Sequence, residues 1–270
     1  MLAKSMRKHS IIFVFSLLLI LIVTDVEAQR RRNRGYRSYR PGGSGFNVST
    51  MLHSFNFNVG YYRPRMDYWN NDSYLAELGK NYNGALMFQG GIDLDIYDGF
   101  MVGLYGGTYS DKVEVYNQIG GIERTEKHRY RITPISIVGK YQFNFGNPRL
   151  RYRQRGLAKI HPYGGLAGNF NLITNTLVRE FTDPERETQR STNNGTTLSI
   201  SGIVGVRYDL THYVGIGAEV NYFVGGFNQT VNTGNGQTED ATISITGPFI
   251  SGTLSVNLQP PKGRRRARYR

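Results

Sequence analysis

The chain has 270 residues, a formal net charge of +13, 33 Gly, 19 Tyr, 14 Phe and no Cys. The missing thiol excludes disulfides and a cysteine-linked lipid anchor. Beyond the N-terminus no stretch approaches the ~18 continuous apolar residues of a spanning helix, so a helical membrane bundle is excluded and one large all-β domain fits the length.

Residues 1–28 read as a secretion signal. Lys4, Arg7 and Lys8 precede the apolar run Ile11–Val23, and Val26-Glu27-Ala28 offers small residues at the two positions a signal peptidase reads. Residues 29–49 are basic and rich in Gly and Arg, residues 50–258 carry strand patterns, and residues 259–270 form a basic tail.

A half-buried strand repeats its environment every second residue. Ser54–Tyr62 sets Phe55, Phe57, Val59 and Tyr61 on one side. Leu86, Phe88, Gly90, Ile92, Leu94 and Ile96 alternate with Met87, Gln89, Gly91, Asp93 and Asp95. Tyr97-Asp98-Gly99 then forms a hairpin turn, and Phe100, Val102 and Leu104 return. Ile132–Phe143 and the glycine-rich Pro162–Leu172 follow. In Leu198–Leu210, Leu198, Ile200, Val204, Val206 and Tyr208 oppose Ser199, Ser201, Arg207 and Asp209. A turn at residues 211–213 leads into Val214–Val224, and Pro248–Leu258 closes the series. Four long polar connections are expected at 63–83, 110–128, 173–197 and 226–240. Eight strands long enough to cross a bilayer when tilted, with short turns on one side and long loops on the other, predict an all-β, eight-stranded, antiparallel up-and-down transmembrane β-barrel.

The second face carries Asp93, Asp95, Lys140, Arg207, Asp209 and Glu219. Centring the second hairpin on His212 sets Arg207 opposite Gly217 and Asp209 opposite Gly215, with Glu219 diagonal to Arg207. A small barrel fills its lumen with side chains, and buried charges persist only when paired, so these six are expected to form a lumen ionic network. The alternative is the solvated face of a soluble sandwich; the secretion signal and the loop asymmetry favour the barrel.

Ile132-Thr133-Pro134-Ile135-Ser136-Ile137, Pro162–Gly168, Gly205-Val206-Arg207-Tyr208-Asp209 and Gly217-Ala218-Glu219-Val220 resemble, in order and spacing, the fourth to seventh strands of the OmpA/OmpX-type eight-stranded outer-membrane β-barrels, the broad outer membrane protein beta-barrel domain family. The resemblance covers roughly residues 50–258. It implies a porin-like protein of the Gram-negative cell envelope, inserted by the outer-membrane assembly machinery and seldom catalytic. Such barrels usually end on an aromatic residue; here Leu258 runs into Gln259-Pro260-Pro261.

An even strand number puts both mature termini on the periplasmic side. Residues 29–40 hold six Arg, including Arg30, Arg31 and Arg32. Residues 144–159 hold Arg149, Arg151, Arg153, Arg155 and Lys159, and residues 259–270 hold Lys262, Arg264, Arg265, Arg266, Arg268 and Arg270. None of the three contains an acid. This basic periplasmic patch suits anionic lipid headgroups, the cell-wall polymer or an acidic periplasmic protein; the alternative is solvated tails. Export argues against nucleic acid. Oligomeric state is left open.

No phosphate-binding glycine loop or zinc spacing appears. His53 and Ser54 are adjacent, so a strand should send them to opposite faces. His128, His161 and His212 lie near strand ends or turns without an obvious Ser and acid partner. Asp67, Asp72, Asp183, Glu185 and Glu187 match no calcium loop. The sequence therefore predicts no catalytic, cofactor or metal residues. A structural or interaction barrel leads, followed by an accessory of a secretion or gliding apparatus similar to PorT-like barrels, then a lipid-modifying barrel enzyme or narrow pore.

Overall fold

The strands are β1 (Leu52–Tyr62), β2 (Ala85–Tyr97), β3 (Phe100–Ile119), β4 (Ile122–Gln142), β5 (Ile160–Phe181), β6 (Gln189–Asp209), β7 (Val214–Val224), β8 (Gly226–Asn232), β9 (Thr238–Ser244) and β10 (Gly247–Asn257). The computed structural model describes residues 51–97, 99–119, 122–143, 159–183, 185–211, 213–232 and 238–258. Eight strands close a ring in the order β1–β10–β7–β6–β5–β4–β3–β2, and β8 and β9 form a separate two-stranded hairpin. Closure leaves no open edge at the level of the ring, the condition a sheet must meet to span hydrocarbon. The β2–β3 turn is tight because Gly99 takes a φ of 87°, the left-handed region that hairpin turns require. The β6–β7 register sets Arg207 opposite Gly217 and Asp209 opposite Gly215, as the symmetry about residue 212 placed them.

Two of the expected long loops are instead paired strand. The β3–β4 ladder runs on to Ile119 and Ile122, and the β5–β6 ladder to Arg179 and Gln189. Strands of 20 to 22 residues exceed the ~9–11 that a tilted crossing needs, so the walls continue about 30 Å past the ring's belt at ~3.3 Å per residue. The expected loop at 226–240 contains the β8–β9 hairpin. The connection from 63 to 84 carries a single π turn (Tyr68–Asp72) and α1 (Tyr74–Glu77).

The extension escaped the pattern because polarity inverts along a strand whose phase never changes. In lower β4, Ile135, Ile137 and Tyr141 point outward while Ser136, Lys140 and Gln142 are buried. Above Pro134 the outward residues are Arg129 and Arg131, and the buried ones are Glu126, His128, Tyr130 and Ile132. The lower half is polar inside and apolar outside; just above Pro134 the order reverses, with Tyr130 and Ile132 inside and Arg129 and Arg131 outside, and higher still Glu126 and His128 are buried.

The lower exterior is layered. Leu104, Ile137, Leu166, Ile200, Val204, Ile216, Val220, Ile250 and Leu254 form an exposed aliphatic band. Phe55, Tyr97, Phe100, Tyr141, Phe143, Tyr208 and Tyr213 border it at the short-turn end, and Tyr61, Phe88, Phe170 and Tyr222 at the other. An aliphatic band between two aromatic rows is the surface a bilayer selects.

The upper interior is a hydrophobic core. Tyr62, Met66, Tyr68, Trp69, Leu75, Tyr82, Met87, Tyr109, Tyr130, Phe223, Phe227, Val231, Ile243 and Phe249 belong to one buried cluster. Residues 63–84 fold inward to supply part of it. Arg65 N–H donates to Thr246 O (2.9 Å), Asn70 Nδ2 to Arg65 O (2.8 Å) and Tyr82 N–H to Asn70 Oδ1 (2.8 Å), and the Tyr62 hydroxyl donates to Ile245 O. The edge-on pairs Tyr62–Tyr109 (5.0 Å) and Tyr82–Tyr130 (5.9 Å) have the geometry that aromatic quadrupoles favour.

Candidate functional site in the barrel lumen

Inward-facing residues of seven strands meet in the lower lumen. Lys140 Nζ lies 2.6 Å from Asp93 Oδ2 and donates to the Tyr105 hydroxyl at 2.7 Å. Its ammonium sits between two rings, 5.1 Å from the Tyr105 centroid and 5.4 Å from that of Tyr163. Asp93 accepts from Asn56 Nδ2 (2.7 Å) and from the Tyr105 hydroxyl (2.9 Å). Glu219 accepts from the Tyr163 hydroxyl (2.9 Å) and from Asn58 Nδ2 (3.2 Å). Ser255 Oγ donates to Asn56 Oδ1 (2.6 Å), tying β10 to β1. Asp93, Lys140 and Glu219 are all buried, so each charge is stabilised by its partners rather than by bulk water. The residual void among these side chains is about 10 Å³, room for about one water.

A second group lies nearer the short-turn end. Arg207 Nε is 3.3 Å from Asp209 Oδ1, and His161 Nε2 is 3.0 Å from Asp209 Oδ2. Arg207 Nη1 lies 3.4 Å from His53 Nε2. The expected Arg207–Glu219 diagonal is thus replaced: Arg207 turns toward Asp209 and His53, while Tyr163 and Asn58 hold Glu219. Tyr163, paired with Gly205 on β6, reaches across that strand to Glu219 on β7. Asp95 is half-buried at the rim and outside both groups.

His53 and Ser54 are both buried, against the expectation of opposite faces. At the beginning of β1, His53 packs against Arg207, while Ser54 is 3.5 Å from Asp93 Oδ2. His161 does have an acid partner, Asp209, as does His128, whose Nε2 is 3.6 Å from Glu126 Oε2. His212 and the whole basic set of residues 30–32, 149–155 and 264–268 lie outside the described residues. Among the described residues no three His, Asp or Glu side chains converge as a metal would require.

Sequence reasoning missed Tyr105, Tyr163, Asn56 and Asn58. The signal was in the glycines. Tyr105 is paired across the ladder with Gly91, and Tyr163 with Gly205. A Cβ at either glycine would come within 2.4 Å of the opposing ring. Each ring lies flat over its cross-strand glycine, which makes room for it in a lumen this narrow.

Higher up, a further ionic group was missed. Glu126, fully buried, is 2.7 Å from Arg124 Nε and 3.0 Å from Arg179 Nε. Trp69 lies beside His128 with the rings tilted at 57° and 5.8 Å between centroids. On the adjacent β3 wall, burial pushes the Asp111 carboxyl above the usual carboxylate range, although Gly84 N–H (3.2 Å) and Lys112 N–H (2.7 Å) donate to it.

No protein-family model matches the chain, and no curated protein does. Solved structures do. The outer membrane protein OprG from Pseudomonas aeruginosa is 13% identical with a TM-score of 0.50, over 78% of this chain and 98% of that one. Neisserial surface protein A is 14% identical with a TM-score of 0.39, over 76% and 96%. AlkL, an outer membrane protein solved in DMPC bilayers, is 14% identical with a TM-score of 0.39, over 85% and 99%. The chain has the fold of the eight-stranded outer-membrane β-barrels.

Proposed function

We propose that the protein is an integral, non-enzymatic barrel of the Gram-negative outer membrane, with a sealed lumen and a structural or interaction role. The observation that carries the sealing is the Lys140–Asp93 pair clamped between Tyr105 and Tyr163, which leaves about 10 Å³ free. A hydrated ion cannot pass without breaking that pair, and breaking it strands two charges in a low-dielectric interior. The aliphatic band with its two aromatic rows supports residence in a bilayer, and the signal segment with the barrel fold supports the outer one. On this reading the long walls face outward, and both mature ends, with the basic segments, face the periplasm. There the arginines engage anionic envelope components or an acidic partner protein.

The purified protein in planar bilayers should give no unitary conductance steps; steps from the wild type would contradict sealing. Deleting residues 259–270 should loosen association with the envelope or lose a pull-down partner. Unchanged extraction and unchanged partners would count against the basic face.

A further inference from the structure

The ladders on the two sides of β6 differ in length. On the β5 side β6 is paired from Gln189 to Tyr208. On the β7 side pairing begins only at Ile200. Among the described strands residues 189–199 therefore have an open edge, where alternate residues direct backbone N–H and C=O groups away from β5. The chain that could continue the ladder does not do so. After β7 it enters β8, which pairs with β9 and belongs to a separate sheet. Among the described residues the two strands touch at the base, where Thr197 Oγ1 donates to Gly226 O (2.7 Å) and Gly195 faces the Phe227 ring. Above that contact a cavity of about 440 Å³ separates them, lined by Thr192–Gly195 on β6 and Phe227–Thr230 on β8, with Ile173 behind.

Exposed edges are normally guarded by charge. The guards in this molecule stand elsewhere. The corresponding free stretch of β3 carries Asp111, Lys112 and Glu114, with Lys112 and Glu114 bridged at 2.7 Å, and Asp111 takes the Gly84 amide as a cover. The β9 strand carries Asp240. Between Ser191 and Ser199 on β6, and along the whole of β8, there is neither a charge nor a proline. Two unguarded strand edges thus flank one gap, and a strand's backbone is what an unpaired edge recognises.

We propose that the gap between β6 and β8 accepts one extended segment of another polypeptide, added antiparallel to the edge of β6. The lining sets its chemistry. Ile173 and Phe227 ask for small apolar side chains on the inner face, and Thr192, Asn194, Asn228 and Thr230 ask for uncharged polar ones on the outer face. The inference rests on the upper walls standing clear of the membrane, as the proposed function has them.

The test is hydrogen exchange on the full-length protein in detergent, with a lysine-capped threonine–valine repeat of about ten residues as the probe. Addition of the peptide should slow exchange across residues 191–198 by about tenfold or more. Gly195→Trp places an indole in the gap at a site where the added Cβ meets only the Phe227 ring at 4.0 Å, and the variant, checked for heat-modifiable gel migration, should lose this protection. Glu114→Trp, on the guarded edge, should keep it. No slowing at about 1 mM peptide overturns the proposal. Equal slowing in Gly195→Trp overturns it as well, since the peptide then binds elsewhere. Residues 191–198 already protected without peptide also overturn it, because β8 or a second copy then covers the edge. All readouts use folded, detergent-bound protein, so their failure leaves the sealed barrel standing. Conductance steps would sink the sealing and leave the edge untouched.

Discussion

The lower lumen and the upper interior share the long strands β3–β6, yet they are built from opposite chemistry. Below, Asp93, Lys140, Glu219, Arg207 and Asp209 meet among tyrosines and asparagines. Above, Trp69, Tyr82, Tyr109, Tyr130, Phe223 and Phe249 pack as a soluble protein packs its core. The solvent outside explains the difference. Where hydrocarbon covers the wall, the apolar residues are used outward and the inside is left to polar groups that must satisfy one another. Where water covers the wall, the same alternation buries its apolar set inward. The strand register is shared; the exterior medium decides which face is greasy.

Substitutions can break that comparison. The largest effect is expected from Lys140→Ala, which leaves the Asp93 carboxylate buried without its cation. It should cost about 3–5 kcal/mol, read from denaturant unfolding in micelles. A loss below about 1 kcal/mol would mean the lower lumen is wetter than its geometry implies. In the upper core, Trp69→Ala should cost about 3 kcal/mol through the cavity it opens. Its exchange signature should concentrate in residues 63–84 while the ring below holds; uniform loss would show the two regions to be one cooperative unit.

A third experiment compares the two regions on one strand. Val204→Arg places a cation in the aliphatic band and should cost about 2 kcal/mol or more. Thr192→Arg, on the same outward face of β6 above the band, should stay within about 0.5 kcal/mol. Equal costs would remove the boundary between the two regions.

The smallest effect concerns pH. The Asp111 carboxyl titrates above its unfolded value because burial disfavours its charged form. The folded state therefore holds the proton more tightly, and stability is greater below that range and falls as pH rises through it. Denaturant stability should rise on mild acidification in the wild type, and Asp111→Asn should flatten the profile; an unchanged slope in the variant would assign the effect to another group.

Much of the ring was legible. Val214–Val224 matches β7 residue for residue, and Pro248–Leu258 lies within one residue of β10 at each end. In both, the apolar alternation and the lipid-facing side coincide. The extensions were not legible, because at Thr192, Asn194 and Thr196 the outward face is polar and strand resembles loop. The lumen charges could be placed by parity, but their partners could not. Tyr163 reaches Glu219 through a pairing with Gly205 that only the ladder register reveals. Residues 63–84 were opaque for another reason: Met66, Trp69 and Leu75 are buried by tertiary packing against distant strands, with no local periodicity to announce it.

A ring that spans a membrane turns the outward face of its lower strands to lipid. With no native cysteine, single reporters are clean. A bimane attached at Ile137→Cys should be quenched by brominated acyl chains, while one at Arg131→Cys on the same strand face should escape them and Asn169→Cys, inside, should resist labelling. Equal quenching at 137 and 131, or none at 137, would contradict a membrane-spanning ring and every orientation built on it.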